Sequence, residues 1–243
     1  MKATLQRIDL LLVGRGLFDS RARAQAAIAA GLVRVDGRPV TKASLLVAGD
    51  AQIEASAPHP YVSRGGVKLA AALDHFGFDP KGRICLDIGA STGGFSEVLA
   101  LRGAARVYAV DVGHGQLHPR LAANRAIVSL EGRDARSLAA TDFVAPPQLV
   151  TFDASFISLR LLLAHVLALG AAAAQCVALV KPQFEAGRTA VRKGIVRDSA
   201  VHDTVCRDVT DMFEQLGWRV AGVIVSPIAG GDGNREFLIG ASR

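Results

Sequence analysis

Cysteine is scarce and unpatterned: the 243 residues hold three, Cys85, Cys176 and Cys206, with no C-x-x-C spacing. An odd, scattered set argues against a disulfide framework and against structural zinc, and two of the three sit in apolar runs as buried small hydrophobes. Six histidines give one helically spaced pair, His114 and His118, near Asp111 but without a further carboxylate or cysteine pattern, so no metal is expected. Uninterrupted apolar runs are missing as well. The stretch from Leu159 to Val180 carries Arg160, His165 and Gln175 and reads as helix, turn and strand rather than as a membrane span. The patch from Leu10 to Val13 is too short for a secretory core and no small-residue cleavage site follows, so a cytoplasmic chain without a membrane partner is expected. Disorder is excluded by composition, since half of the residues are hydrophobic and only 21% charged.

The chain is basic, with a formal net charge of +6. Residues 1–59 hold 8 Lys+Arg against 5 Asp+Glu and the remaining 184 hold 20 against 17, so the excess per residue is concentrated in the N-terminal part. A polyanionic partner is favoured, although many ordinary enzymes are as basic. In this part Ile8, Leu11 and Leu12 give helical spacing over 7–16, and Ser20 is a good N-cap for an alanine-rich helix over 21–30 with Gly31 at its end. Alternation in Val33 to Val40 flanks Asp36-Gly37, a strong hairpin signal. The small residues and two prolines of 55–60 read as a linker, which predicts a boundary near residue 59 and an accessory module of about 60 residues.

Beyond the linker, strands are predicted at 83–88, 106–111, 127–130, 149–153, 176–181, 219–225 and 236–240, with helices at 94–102, 158–169 and 199–216. Apolar strands separated by helices imply a parallel sheet covered on both faces, hence a doubly wound α/β domain. Its chemistry is expected where the first strand enters a helix, at Leu86-Asp87-Ile88-Gly89-Ala90-Ser91-Thr92-Gly93-Gly94-Phe95. Ser91 stands where the second glycine of G-x-G-x-x-G would be, which weakens a dinucleotide reading, and the glycines could also serve a tight turn alone. Asp87 would repel a pyrophosphate but suits a ligand with a cationic amino group and a sulfonium, so S-adenosylmethionine is preferred over a nicotinamide cofactor. Asp111, ending the second strand, suits a ribose diol. Lys68, Asp153, Lys181 and Glu236 form a dispersed second set; Asp153 and Lys181 end apolar strands on the edge where such domains place their sites, and each could equally be a surface residue just past its strand.

Ser20-Arg21-Ala22-Arg23-Ala24, Ile28, Gly31 and Val33-x-Val35-Asp36-Gly37 resemble the small S4-type RNA-binding domain of ribosomal proteins. The rest, through YVSRGGVKL, LDIGASTGGF, DVGHGQL, LVKPQFE, VRKGIVRD and GNREFL, resembles the TlyA family, haemolysin-named rRNA 2′-O-methyltransferases related to FtsJ. The resemblance implies a methyltransferase domain over 60–243 that uses S-adenosylmethionine on a ribose 2′-hydroxyl of rRNA, with cytidine as target and rRNA or ribosomal subunits as partners. It implies a catalytic Lys-Asp-Lys-Glu set at Lys68, Asp153, Lys181 and Glu236, and cofactor contacts at Asp87, Gly89, Ala90, Ser91, Gly93, Gly94, Phe95, Asp111 and Asp134. Asp134 stands where the family usually has asparagine, and His114 where it usually has an aromatic residue. In the expected chemistry Lys181 takes the hydroxyl proton, Lys68 favours its release by repulsion, Asp153 orients Lys181 and Glu236 holds Lys68. Arg7, Arg21, Arg23, Lys42 and Arg64 are expected to contact RNA, and the run Arg188, Arg192, Lys193 and Arg197 could join them, although any one of these is most often a solvated charge. Competing readings are a membrane-lytic protein, which no apolar span or cationic amphipathic helix supports, and a non-catalytic RNA-binding assembly factor, which would not need the polar set.

Overall fold

A computed structural model describes residues 5–230 and 233–243, with the side chain of Arg188 left outside the description. The chain divides into two compact units, 1–60 and 61–243.

In the first unit β1 (Leu5–Arg7) leads into α1 (Ile8–Gly14), and α2 (Arg21–Ala29) follows after Ser20, whose hydroxyl accepts the Arg23 N–H at 3.4 Å. β2 (Val33–Val35) turns back into β3 (Arg38–Pro39) through Asp36 and Gly37, both at positive φ as a tight primed turn requires. Two strands the sequence did not announce complete it: β4 (Leu46–Ala48) pairs antiparallel with β1, and β5 (Ile53–Ala55) with β2. Three residues are too few to show a period, and β5 takes the first position of the expected linker. Ile8, Leu12, Ala24, Ala27, Ile28 and Val33 form the core of this unit.

The second unit runs α3 (Gly65–Phe76), β6 (Ile84–Ile88), α4 (Gly94–Leu101), β7 (Arg106–Asp111), α5 (Pro119–Ala122), β8 (Ile127–Glu131), β9 (Leu149–Phe152), α6 (Leu163–Ala168), β10 (Gln175–Val180), α7 (Pro182–Glu185), α8 (Ser199–Gln215), β11 (Arg219–Val225) and β12 (Phe237–Ser242). One seven-stranded sheet has the order β8-β7-β6-β9-β10-β12-β11. β6 to β10 pair in parallel and β11 runs the same way, while β12 between β10 and β11 is antiparallel to both, a departure from the parallel sheet expected. Alternate residues of each strand face opposite cores: Leu86, Val150, Phe152 and Cys176 on one side, Cys85, Leu149, Val177 and Leu238 on the other. The order reverses between β6 and β9, and the carboxyl ends of those strands frame a crevice.

Two departures bear on the site. The helix expected over 158–169 is split into a 3-10 turn, Leu159–Leu161, and α6, because Glu185 holds the start of the segment through the Ser158 hydroxyl (2.5 Å) and the Leu159 N–H (2.8 Å). α3 was not anticipated, although Leu69, Ala72, Leu73 and Phe76 recur at helical spacing; it carries Lys68 and ends at Gly77, at φ 67°.

Candidate functional site

The crevice opens into a cavity of about 620 Å³, within the ~300–1,000 Å³ usual for small-molecule sites. Gly89, Ser91, Asp111, Gly113, Asp134 and Asp153 are among its lining residues. Gly89 is there of necessity, because at φ 82° a Cβ would lie 2.8 Å from the backbone of Asp153 and Ala154, so only glycine lets the ends of β6 and β9 approach. Asp111 is fixed before any ligand arrives: its carboxylate accepts the Ser91 N–H at 2.8 Å and the Gly113 N–H at 2.7 Å. Asp134 also lines the cavity, and the Arg136 guanidinium bonded to it holds its carboxyl at about 2.

Other members of the loop serve the turn. Ala90, Gly93, Gly94 and Phe95 do not line the cavity. A Cβ on Gly93 would collide with Leu117 and Leu121, and one on Gly94 with the Ser63 hydroxyl, so these glycines answer packing of the chain on itself. Asp87 departs most from its expected part. It is fully buried, points at the hydroxyls of Ser96 (2.6 Å) and Thr151 (3.0 Å), and does not line the cavity. Burial pushes its carboxyl up to about 7, so it is not a fixed negative charge facing a sulfonium.

Lys68, Asp153, Lys181 and Glu236 come together as two ion pairs on the same sheet edge. Asp153, Lys181 and Glu236 follow β9, follow β10 and precede β12, three neighbouring strands, while Lys68 reaches in from α3. The Lys68 ammonium donates to Glu236 Oε2 at 2.5 Å with both side chains buried. A Cβ on Gly230 would overlap the Glu236 carboxylate, so the backbone at Gly230 packs directly against this pair. Lys181 Nζ donates to Asp153 Oδ1 (2.7 Å), the Ser155 hydroxyl (2.7 Å) and the Asp153 carbonyl (3.1 Å), acceptors that match the three donors of an ammonium. Asp153 lines the cavity, and Gly65, the first residue of α3, approaches it so closely that a Cβ there would lie 3.3 Å from Oδ2.

Phe156 was missed in the sequence. It lines the cavity with 92% of its surface exposed, at φ 64°, a strained conformation for an aromatic residue, and its ring lies 5.2 Å from that of Phe184. An exposed phenylalanine in such a conformation four residues beyond a strand end is visible only in three dimensions.

The first-unit arginines expected at RNA are ion-paired with carboxylates of that unit, with Arg7 and Arg21 still partly exposed. Arg7 binds Asp9 through two nitrogens (3.0 and 2.9 Å) and Arg21 binds the same carboxylate at 3.0 Å, with Gln25 adding a third donor at 2.8 Å. Arg23 pairs with Asp19 at 3.1 Å. These guanidiniums close the first unit. Lys42 and Arg64 are exposed and have no ion-pair partner among the described residues, as do Arg34 and Arg38 on the hairpin, which sequence reasoning had not singled out. No group of three or more His, Cys, Asp or Glu among the described residues is placed to hold a metal, and no helix among them is long and apolar enough to cross a membrane.

Comparison with known proteins meets this geometry in both units. Residues 61–243 match the FtsJ-like methyltransferase family and residues 6–53 the S4 domain. The chain is 42% identical over 236 residues to the 16S/23S rRNA (cytidine-2'-O)-methyltransferase TlyA of Mycobacterium tuberculosis, covering 96% of this chain and 88% of that one. It is 37% identical to Hemolysin A of Brachyspira hyodysenteriae, over 96% of this chain and 98% of that protein. A solved Streptococcus thermophilus structure, also carrying the hemolysin name, superposes with a TM-score of 0.79 at 40% identity, covering 98% of this chain and 88% of its own.

Proposed function

We propose that this chain, which belongs to the FtsJ-like methyltransferase family, transfers the methyl group of S-adenosylmethionine to the ribose 2′-hydroxyl of a cytidine in ribosomal RNA. The observation that carries the reading is the pair of lysine–carboxylate contacts beside a cavity lined by Asp111. Its polar set fits the cofactor: Asp111 offers a pre-aligned carboxylate to a ribose diol, Asp134 an acceptor to an adenine amino group, and the bare backbone at Gly89 close approach. The cofactor supplies an electrophilic methyl group, and the protein's task is to hold the hydroxyl in line and take its proton. Lys181 is the group for that task, since Asp153 and Ser155, both lining the cavity, hold its nitrogen directly behind that wall. In the reacting form Lys181 has released one proton to solvent, and the electron pair freed on Nζ takes the hydroxyl proton as the oxygen attacks the methyl group. Lys68 adds positive charge beside the reacting oxygen, kept in place by Glu236. Phe156 offers an open ring face on which the target base can stack. In the first unit Arg34, Arg38 and Lys42 are the cations free to meet phosphate, and Arg64 adds one at the start of α3.

Incubating the protein with ribosomal subunits, naked rRNA and methyl-labelled cofactor, then mapping 2′-O-methylated nucleosides by mass spectrometry, tests the reading. Label on cytidine ribose supports it. Label on a base, or none on any RNA, overturns it.

A further inference from the structure

A second cleft, of about 540 Å³, lies in the methyltransferase unit away from the cofactor cavity, lined by Ile195, Val196, Arg197, Ser199, His202, Gly233 and Arg235. Asn234 builds it: its side chain accepts the Val196 N–H at 3.3 Å and donates to the Gly194 carbonyl at 2.9 Å, stapling the segment before α8 to the loop before β12. Two cations stand at its rim. Arg197 and Arg235 are exposed, neither has an ion-pair partner among the described residues, and the Arg235 guanidinium rests 5.5 Å above the Phe237 ring. Ser199 begins the 17-residue helix α8, where backbone N–H groups and the helix dipole favour an anion; Asp198 caps only the Ala200 N–H, at 2.9 Å. An independent observation comes from His202, which is 95% buried on the cleft wall. Its Nε2 lies 3.0 Å from the Val196 carbonyl, which can only accept, so Nε2 carries a proton and Nδ1 is left buried with no hydrogen-bond partner in the protein. None of these groups takes part in the proposed methyl transfer, yet Arg235 directly precedes Glu236, so the cleft flanks the reacting edge of the sheet.

We propose that this cleft is a phosphate site that holds a phosphodiester of the substrate RNA next to the nucleotide being methylated. Two guanidiniums, the Ser199 hydroxyl and the end of α8 supply donors for the oxygens of one phosphate, and Nδ1 of His202 joins them as a donor only when the imidazole takes up a second proton with the bound anion. The identity of the anion as RNA backbone rests on the proposed function; the phosphate chemistry of the cleft does not.

The test has two arms on the full chain. In the first, ¹H–¹⁵N spectra of the imidazoles follow a titration with inorganic phosphate, for the wild type and for Arg197→Gln/Arg235→Gln. A His202 shift in the wild type that is lost in the variant is expected; no shift in either overturns the phosphate site. In the second, RNA binding is measured against salt, with Arg219→Gln at the opposite edge of the sheet as control and cofactor affinity monitored by calorimetry. The double variant is expected to bind RNA more weakly and to lower the slope of log K against log salt by about one, the loss of a single phosphate contact, with cofactor affinity unchanged and the control like the wild type. Equal weakening by the control, or a slope like the wild type, overturns the RNA assignment. A phosphate-induced shift without an RNA effect marks a free-anion site and equally overturns it. If no RNA binds at all, the proposed function fails, while the first arm still decides whether the cleft takes phosphate.

Discussion

Each unit buries a carboxylate completely, and the two are treated in opposite ways. Asp9 in the first unit is surrounded by Arg7, Gln25 and Arg21, and the Arg7 guanidinium above all holds its carboxyl well below the usual range. Asp87 in the second receives the hydroxyls of Ser96 and Thr151 and the Ser96 backbone N–H, and burial drives its carboxyl up to about 7. Lack of contact with water does not by itself set the charge: guanidiniums favour it at Asp9, whereas depth in the larger core without a paired cation disfavours it at Asp87. The same rule sorts the cations. Arg7 and Arg21 answer to Asp9 and build the fold, whereas Lys68 and Lys181 answer to carboxylates beside the cavity, where chemistry can use them.

Removing a carboxylate that holds a buried cation is the severest way to break the comparison. Glu236→Ala leaves the Lys68 ammonium buried without its partner, at an expected cost of about 3–5 kcal/mol, and chemical denaturation of the full chain measures it. Glu236→Gln, which keeps an acceptor for Lys68, is expected to recover part of that loss.

Asp87→Asn sharpens the comparison through pH. The raised carboxyl means that Asp87 keeps its proton in the folded chain between about pH 4 and 7 while the unfolded chain loses it. Wild-type stability relative to Asp87→Asn is therefore expected to be greatest below pH 4 and to fall by up to about 1.4 kcal/mol per pH unit toward pH 7. Melting temperatures of both proteins across that window read the slope, and parallel curves would show that Asp87 is ionised throughout.

Asp9→Asn should give the opposite sign and a smaller effect, because the arginines around Asp9 are partly exposed to water. Its lowered carboxyl contributes stability above pH 4 that is lost as the wild type is acidified below that value. The variant is expected to be less stable than the wild type at pH 7, with a gap that narrows as pH falls below 4 but has not closed at pH 3. Thermal unfolding of the full chain at the two pH values is the measurement.

Much of this was legible in the sequence and some was not, for identifiable reasons. The five parallel strands announce themselves because a strand buried on both faces must be apolar throughout, and Asp153 and Lys181 stand out as the first polar residues after such runs. Gly89 and Asp111 were legible from their place at strand ends. The direction of β12 was not, since nothing within a strand records which neighbour it meets antiparallel. Nor was the aim of Asp87: its place just before the glycine loop suggested a carboxylate facing a cationic ligand, but not that Ser96 and Thr151 would close around it. Arg7 and Arg21 read as free cations because Asp9 lies two and twelve positions away, and only the packing of α1 against α2 brings all three together.

The difference between the two lysines of the site supplies the most direct test. Both lysines are buried, but Lys68 is paired with the equally buried Glu236, whereas Lys181 is paired with Asp153, which lines the cavity and remains partly open to solvent, so its removal leaves no sealed charge behind. Single-turnover methyl transfer to ribosomal subunits should be measured for the wild type and Lys181→Ala, with cofactor affinity determined by calorimetry on the same samples. The account predicts a loss of about 10²- to 10⁴-fold in the rate of transfer with nearly unchanged cofactor binding and an unchanged melting temperature. Transfer by Lys181→Ala at a rate close to the wild type would contradict it, because no other group in the proposed mechanism takes the proton of the ribose hydroxyl.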